Sequence, residues 1–332
     1  HRKLQRDEIF LIFAEINKRK MELPASFIDY TRALLGDEEY DKLAVALQQE
    51  PPVSIRLNQL KINHSLSDKV PWSSEGFYLE ERLTFTFDPL FHAGCYYVQE
   101  ASSMFVEQVL RQYITGPVKM LDLCAAPGGK ATALGAALND TGFLLANDIS
   151  TSRARALLRN LELFGMKNML VTDEKPAKLA QRFPAFFNKI LLDAPCSGEG
   201  MFRKNEEAGI EWSLDNVKLC ADRQDGILDC AYEMLRPGGR MVYSTCTFAP
   251  EENECRIAAF LTDHPAFMLE DCAAPFGRPA FAFDRVSAFA KEISCHADLT
   301  LCRRILPDDG GEGHFIARLR RADDGYPGAA AD

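Results

Sequence analysis

Cys196 and Cys246 carry the clearest chemical possibility in this chain. Cys196 closes the segment KILLDAPC, Lys189 to Cys196, and follows Pro195; Cys246 closes RMVYSTC, Arg240 to Cys246, and follows Thr245. One buried thiol at a strand end would say little, because buried cysteines are common and mostly inert. Two thiols at the ends of adjacent strands, both facing a lysine, say more. A cationic neighbour favours the thiolate, the nucleophilic form, and a thiolate splits a hard substitution into two easier steps through a covalent intermediate. Lys130 is the candidate cation. Asp193 directly follows a buried apolar run, where a carboxylate is costly without a partner, so it reads as functional or salt-bridged. Lys130 is either its counter-ion or a first-turn surface lysine. Cys95, Cys124, Cys220, Cys230, Cys255, Cys272, Cys295 and Cys302 have no comparable setting and read as structural, although Cys124 lies inside the loop described next.

That loop belongs to VKMLDLCAAPGGK, Val118 to Lys130. An apolar run, Val118 to Leu123, is punctuated by Asp122 and breaks into Ala125, Ala126, Pro127, Gly128 and Gly129 before a run of helix formers starts at Lys130. The pattern is a strand, a small-residue turn and a helix start. Residues without bulky side chains let the backbone come close to a ligand at the carboxyl end of a strand. The segment matches neither the dinucleotide fingerprint nor the nucleoside-triphosphate loop. An acid about 20 residues further on suits an adenosine ligand held by its ribose, and Asp148 stands there, after the apolar run Gly142 to Asn147. Asp173 either contacts the adenine amino group or caps the following helix. Arg203 and Lys204 are candidates for substrate phosphate or are solvated charges. Arg56, Lys61 and Arg82 read as surface charges before phosphate contacts.

The elements that must position these residues alternate. Strands are expected at Val118 to Leu123, Gly142 to Asn147, Met169 to Thr172, Lys189 to Leu192 and Arg240 to Ser244. Helices are expected at Lys130 to Asn139, Ser150 to Phe164, Pro176 to Phe183, Asp215 to Leu235 and Glu252 to Leu261. Such alternation implies an α/β fold, a mostly parallel sheet with helices on both faces. Ligands then gather at the carboxyl ends of the strands, which puts all the candidate residues on one edge. His314 to Leu319 reads as a last strand, antiparallel to Leu299 to Ile305. Upstream, residues 21–95 read as a small α+β domain of RNA-binding type: helices at Leu23 to Leu35 and Asp37 to Gln49, strands at Val53 to Leu57 and Leu83 to Phe87. Residues 96–321 form the main domain, beginning with a helix within Tyr97 to Tyr113. Residues 1–20 read as an added extension or an N-terminal helix, and 322–332 as a disordered tail.

Composition bounds the rest. The chain has 332 residues, 47% of them hydrophobic, enough for more than one cored domain. A net charge of −10 argues against nonspecific coating of nucleic acid but leaves room for a local basic cleft. The ten cysteines contain no C-x-x-C pair, so no metal site is expected. No apolar run approaches the length of a membrane span. Reduced thiols and a cytoplasmic location are the expectation.

These segments together resemble the Nol/Nop/Sun family of RNA cytosine-5 methyltransferases. The likeness rests on DLCAAPGGK at 122–130, LLDAPCSGEGMFRK at 191–204, LRPGGRMVYSTCTFAPEENE at 235–254, GEGHFIARL at 311–319 and GCYYVQEASSM at 94–104. GEGMFRK looks like the RsmF-like bacterial branch, which methylates ribosomal RNA. The resemblance implies a Rossmann-like domain using S-adenosylmethionine. It implies that Cys124, Ala125, Ala126, Pro127, Gly128, Gly129, Lys130, Asp148, Asp173 and Asp193 line the cofactor site. It further implies that Cys246 is the nucleophile and that Cys196 assists product release. Asp193, if protonated in its buried setting, would donate to the ring nitrogen of the base. RNA, most of all ribosomal RNA of the small subunit, is the implied partner, and a monomer the implied state. Transfer RNA as substrate, or a non-catalytic assembly factor on the same fold, are the alternatives.

Overall fold

The computed structural model describes residues 22–289, 293 and 295–323. The expected extension at 1–20 and nearly all of the expected tail lie outside the described residues. The described chain opens with helices α1 (Ala25–Leu35) and α2 (Asp37–Leu47). Strands β1 (Val53–Leu57), β2 (Gly76–Leu79) and β3 (Tyr96–Val98) then form an antiparallel sheet in the order β2-β1-β3.

Two expectations change here. Tyr96–Val98, read from sequence as the approach to the main domain, is the third strand of the first sheet, because β1 offers it a free edge from Ile55 to Leu57. Leu83 to Phe87, read as a strand, ends in a short 3-10 turn at Phe85–Phe87. Its alternation buries only Phe85, whereas Phe87 is 84% exposed. A strand needs a partner edge as well as a pattern. The edge goes instead to β2, a run too short to show a period.

The main domain follows as α3 (Ala101–Arg111), β4 (Lys119–Asp122), α4 (Gly129–Leu138), β5 (Phe143–Asn147), α5 (Thr151–Phe164), β6 (Met169–Thr172), α6 (Pro176–Arg182), β7 (Phe187–Asp193), α7 (Leu214–Met234), β8 (Leu235–Thr245), α8 (Glu254–Asp263), β9 (Phe267–Glu270), β10 (Arg278–Pro279), β11 (Arg303–Ile305) and β12 (His314–Arg321). The sheet runs β10-β11-β12-β8-β7-β4-β5-β6, with β9 also paired to β12. From β8 to β6 neighbours are parallel, while β12 is antiparallel to β8. The expected pairing of the last strand holds only for Arg303–Ile305, since Leu299–Leu301 is a 3-10 turn.

Alternate residues of each strand enter opposite cores, as the pleat requires. Leu121, Ile190, Leu192 and Met241 join Leu228, Ala231 and Ile257 on the face of α7 and α8. Met120, Leu191 and Val242 join Met104, Leu134 and Leu157 on the face of α3, α4 and α5. Both faces of the central strands are therefore buried, which explains their near-continuous apolar runs.

The first helix pair packs onto the strand-end loops of the main domain. Phe27, Leu43 and Leu47 join Phe202, Trp212 and Phe248 in one cluster. Arg203 pins this contact. Its Nε donates to Glu312 Oε2 at 2.8 Å, and its other nitrogens donate to the carbonyls of Ala46 and Gly311. Both side chains of the pair are 3% exposed. Arg203 is thus a buried clamp, not a contact for substrate phosphate. Removing one partner of a buried ion pair strands the other. Arg203→Ala is expected to lower unfolding free energy by about 3–5 kcal/mol, read from urea denaturation.

Candidate active site

Parallel pairing of β7 with β8 sets Asp193 opposite Ser244. The two chains leave the sheet side by side, and their thiols meet: Cys196 Sγ lies 3.3 Å from Cys246 Sγ, and the Cys246 N–H points to Cys196 Sγ at 3.4 Å. Gly200 follows closely, its N–H donating to the Cys246 carbonyl at 2.8 Å. A Cβ there would sit 2.8 Å from that carbonyl oxygen, so only glycine fits. The hydrogen bond to Cys246, followed by burial, pushes the Cys196 thiol well up. Cys196 is thereby held in its thiol form.

Lys130 and Asp193 stand beside the thiols. Lys130 Nζ donates to Asp193 Oδ2 at 2.7 Å, and Ser244 Oγ donates to Oδ1 at 2.6 Å. Burial acts to raise the Asp193 carboxyl, but Lys130 and these hydrogen bonds outweigh it and hold the group below its usual range. Burial likewise acts to lower Lys130, and Asp193 more than reverses this. The pair is ionised. Asp193 as a protonated donor, one of the expectations above, is therefore corrected: the salt-bridged alternative is what the structure contains, and the donor of the pair is Lys130.

The glycine loop is held from two sides. Arg153 donates to the Ala126 carbonyl at 2.9 Å and Asn160 to the Pro127 carbonyl at 2.8 Å. From the small sheet, Arg56 reaches the Gly129 carbonyl at 3.0 Å and Thr132 Oγ1 at 2.6 Å. Arg56 is buried and lies 3.7 Å from Glu107, so it braces the loop and does not present its charge at the surface. Gly128, at φ 114°, turns its Cα toward Leu157 and Asn160 of α5, so it serves the turn and lines neither of the cavities below.

Two adjoining cavities share Cys124, Ala126, Asp193, Met201 and Cys246. The larger, about 740 Å³, is also lined by Asp148, Ile149, Pro176 and Cys196. Asp148 is 3% exposed, with Arg153 at 3.2 Å and the Ser150 N–H at 2.9 Å. Ile149, 63% exposed, presents an apolar face beside it. Asp173 departs from expectation: it is exposed, it lines neither cavity, and its Oδ2 accepts from Thr151 Oγ1 at 2.8 Å. The loop after β6 instead offers Lys175 and Pro176.

The smaller cavity, about 390 Å³, is lined by Lys130, Asp193 and Cys246 together with Tyr97, Gln99, Ala125, Pro127, Gly129, Lys204 and His314. Burial, and then the Asp193 charge, push Asp122 at its floor up to about 8. Sequence reasoning missed three parts of this region. His314 was read only as a strand start, Glu100 was not singled out, and Glu252 was placed in a helix. Glu252 lies instead in the buried turn before α8, with Ser197, Gln224 and Glu199. The Ser197 hydroxyl has one proton for two carboxylates. Burial, then the Glu199 charge, push Glu252 up to about 8, so it keeps its own proton. Among the described residues no cluster of His, Cys, Asp and Glu could hold a metal ion.

An open parallel sheet closed by an antiparallel strand, with a glycine loop after β4 and a buried acid after β5, defines a Rossmann-like methyltransferase, the class that uses S-adenosylmethionine. The chain belongs to the RsmB/F family of 16S rRNA methyltransferases. That family's model matches residues 115–320, and a model for the N-terminal domain of 16S rRNA methyltransferase RsmF matches 23–101. Ribosomal RNA small subunit methyltransferase F of Serratia proteamaculans is 35% identical over 317 residues, covering 90% of this chain and 63% of the relative. Its counterpart in Pectobacterium atrosepticum is 37% identical over 319 residues, with the same coverage. The chain thus spans less than two thirds of these relatives. A methyltransferase homolog protein from Pyrococcus horikoshii superposes with TM-score 0.75 at 32% identity, covering 89% of this chain and 94% of its own. NSun6 from Pyrococcus horikoshii with SFG has TM-score 0.74 at 22% identity, covering 92% of this chain and 100% of its own, a likeness of fold.

The buried acids generate a pH prediction. Glu252 binds its proton up to about pH 8 in the fold and only to about 4.5 when unfolded. Its contribution to stability therefore declines as pH rises from 4.5 toward 8, by roughly 1.4 kcal/mol per unit crossed. Glu107, which burial raises to about 7, and Asp122 act in the same direction. Thermal unfolding should show a falling midpoint from pH 6 to 9, and Glu252→Gln should reduce that slope without abolishing it.

Proposed function

We propose that this chain methylates carbon 5 of a cytosine in ribosomal RNA of the small subunit, with S-adenosylmethionine as donor. The observation that carries this reading is the pair of sulfurs 3.3 Å apart beside the Lys130–Asp193 pair. The larger cavity suits the donor: Asp148 for a ribose diol, Ile149 and Pro176 for the faces of an adenine, and Cys124 and Ala126 of the glycine loop for the amino-acid end. When bound, S-adenosylmethionine supplies an electrophilic methyl group.

Carbon 5 of cytosine is a weak nucleophile. Cys246 adds as thiolate to carbon 6, and the ring's electron pair moves so that carbon 5 can take the methyl group. Lys130 donates toward the charge that builds on the ring, while Asp193 holds Lys130 in place. Cys196 holds its proton as long as its neighbour is a thiolate. Once Cys246 is bonded to carbon, that neighbouring charge is gone and Cys196 ionises more readily. Cys196 can then release its proton to solvent and accept the one on carbon 5. The electron pair of that C–H bond restores the ring double bond, the carbon–sulfur bond breaks, and Cys246 regains its thiolate. The target base must leave its stack to reach this pocket. Lys204 stands at the pocket as the substrate-side cation.

Cys246→Ala should abolish turnover and covalent RNA capture while cofactor affinity, measured by calorimetry, is kept. Cys196→Ala should accumulate an RNA–protein adduct on denaturing gels. Small-subunit particles and transfer RNA, offered side by side with methyl-labelled donor, distinguish the substrate classes. Methylation that survives loss of Cys246, or labelling of transfer RNA alone, would refute the proposal.

A further inference from the structure

His314 opens β12, which runs back along β8, and its side chain lines the smaller cavity with Lys130, Asp193 and Cys246. Behind it lies a relay through Ser102, fully buried, to Glu100, partly buried. His314 Nδ1 is 2.9 Å from Ser102 Oγ, and Ser102 Oγ is 2.6 Å from Glu100 Oε2. Glu100 also accepts from the N–H groups of Ser102, Ser103 and Glu312, between 2.8 and 2.9 Å. Burial acts to raise this carboxyl, but the Lys204 charge and its four hydrogen-bond donors act against that and hold it below its usual range.

Counting protons fixes the tautomer. An ionised Glu100 has no proton to give, so the single Ser102 hydroxyl proton points to Glu100. Ser102 Oγ must then accept from the imidazole, as it does from the Gly313 N–H at 3.4 Å. The imidazole therefore carries its proton on Nδ1, and Nε2 presents a lone pair. Nε2 has no hydrogen-bond partner among the described residues. Burial, and then the Lys130 ammonium, push the imidazole down to about 4, so it stays neutral throughout the working range.

We propose that His314 selects the target base: its Nε2 lone pair, oriented by Ser102 and Glu100, accepts a hydrogen bond from the exocyclic amino group of cytosine. The proposal rests on the reading of this pocket as a cytosine site. A uracil would bring a carbonyl oxygen against that lone pair, two acceptors without a proton between them. A site built around a fixed hydrogen bond rejects an analogue that cannot make it far better than an apolar pocket does. Ser102, fully buried, is a positioning residue, because it acts only through the imidazole; Glu100 fixes the Ser102 proton and also lines the edge of the cavity.

The test supplies methyl-labelled donor to small ribosomal subunits from cells lacking the gene. RNA is then digested and label is counted in 5-methylcytidine and 5-methyluridine. The full chain should label 5-methylcytidine alone. His314→Phe should lower kcat/KM by about tenfold to a hundredfold, with cofactor affinity by calorimetry within twofold. His314→Gln, whose amide oxygen can accept, should recover part of the loss. Ser102→Ala frees the imidazole to carry its proton on Nε2, so label should begin to appear in 5-methyluridine. His314→Phe with unchanged kcat/KM and selectivity overturns the inference and leaves the cytosine reading standing. If His314→Phe loses cofactor binding, Ser102→Ala decides, and unchanged rate and selectivity there also overturn it. Absence of labelled 5-methylcytidine from the unaltered chain refutes the cytosine reading itself, and this inference with it.

Discussion

The parallel pairing of β7 with β8 is the constraint on which the rest of the site depends. Its register, Asp193 opposite Ser244, determines where two chains leave the sheet and hence that two sulfurs lie in contact. A shift of one residue would send each strand-end side chain to the other face of the sheet. The register is held by two buried faces at once, since Ile190 and Leu192 enter one core and Leu191 the other. Such a strand has no tolerable alternative. The geometry of the thiols is inherited from hydrophobic packing some distance away.

Around that pairing, charges are buried in compensated groups. Lys130 with Asp193, Arg203 with Glu312, Arg304 with Glu254, and Glu100 with the Glu312 N–H each join segments distant in sequence. Buried pairs of this kind add little net stability compared with apolar packing, but they penalise any arrangement that separates them. Their placement suits that purpose. They hold the first helix pair, the loops after β7 and β8, and the entry to β12 in one arrangement. Glu252, which retains its proton beside Glu199, completes the floor beneath the thiol loops.

Much of the main domain was legible in sequence because its strands and helices are long, periodic and separated by clear stops. The small sheet was less so. β2 and β3 are four and three residues long, and a strand of that length exists only because β1 offers an edge. In the site, Cys196, Cys246, Lys130, Asp148 and the glycine loop could be named from residue type and position. Asp173 could not be assigned, because capping and ligand contact ask for the same residue type at the same place. Arg203 and Arg56 looked like surface cations, yet both are buried braces.

The sequence alone determined the order of elements, the edge of the sheet where ligands gather, and the presence of two thiols near one lysine. These follow from short-range periodicity and from the rule that strand ends in a parallel sheet share one side. Only the tertiary structure decided protonation. Whether Cys196 keeps its proton, whether Asp193 is charged, and which nitrogen of His314 carries a hydrogen all depend on partners dozens to hundreds of residues away. Burial and neighbouring charge fix those states, and both are properties of the packed chain rather than of any segment in it.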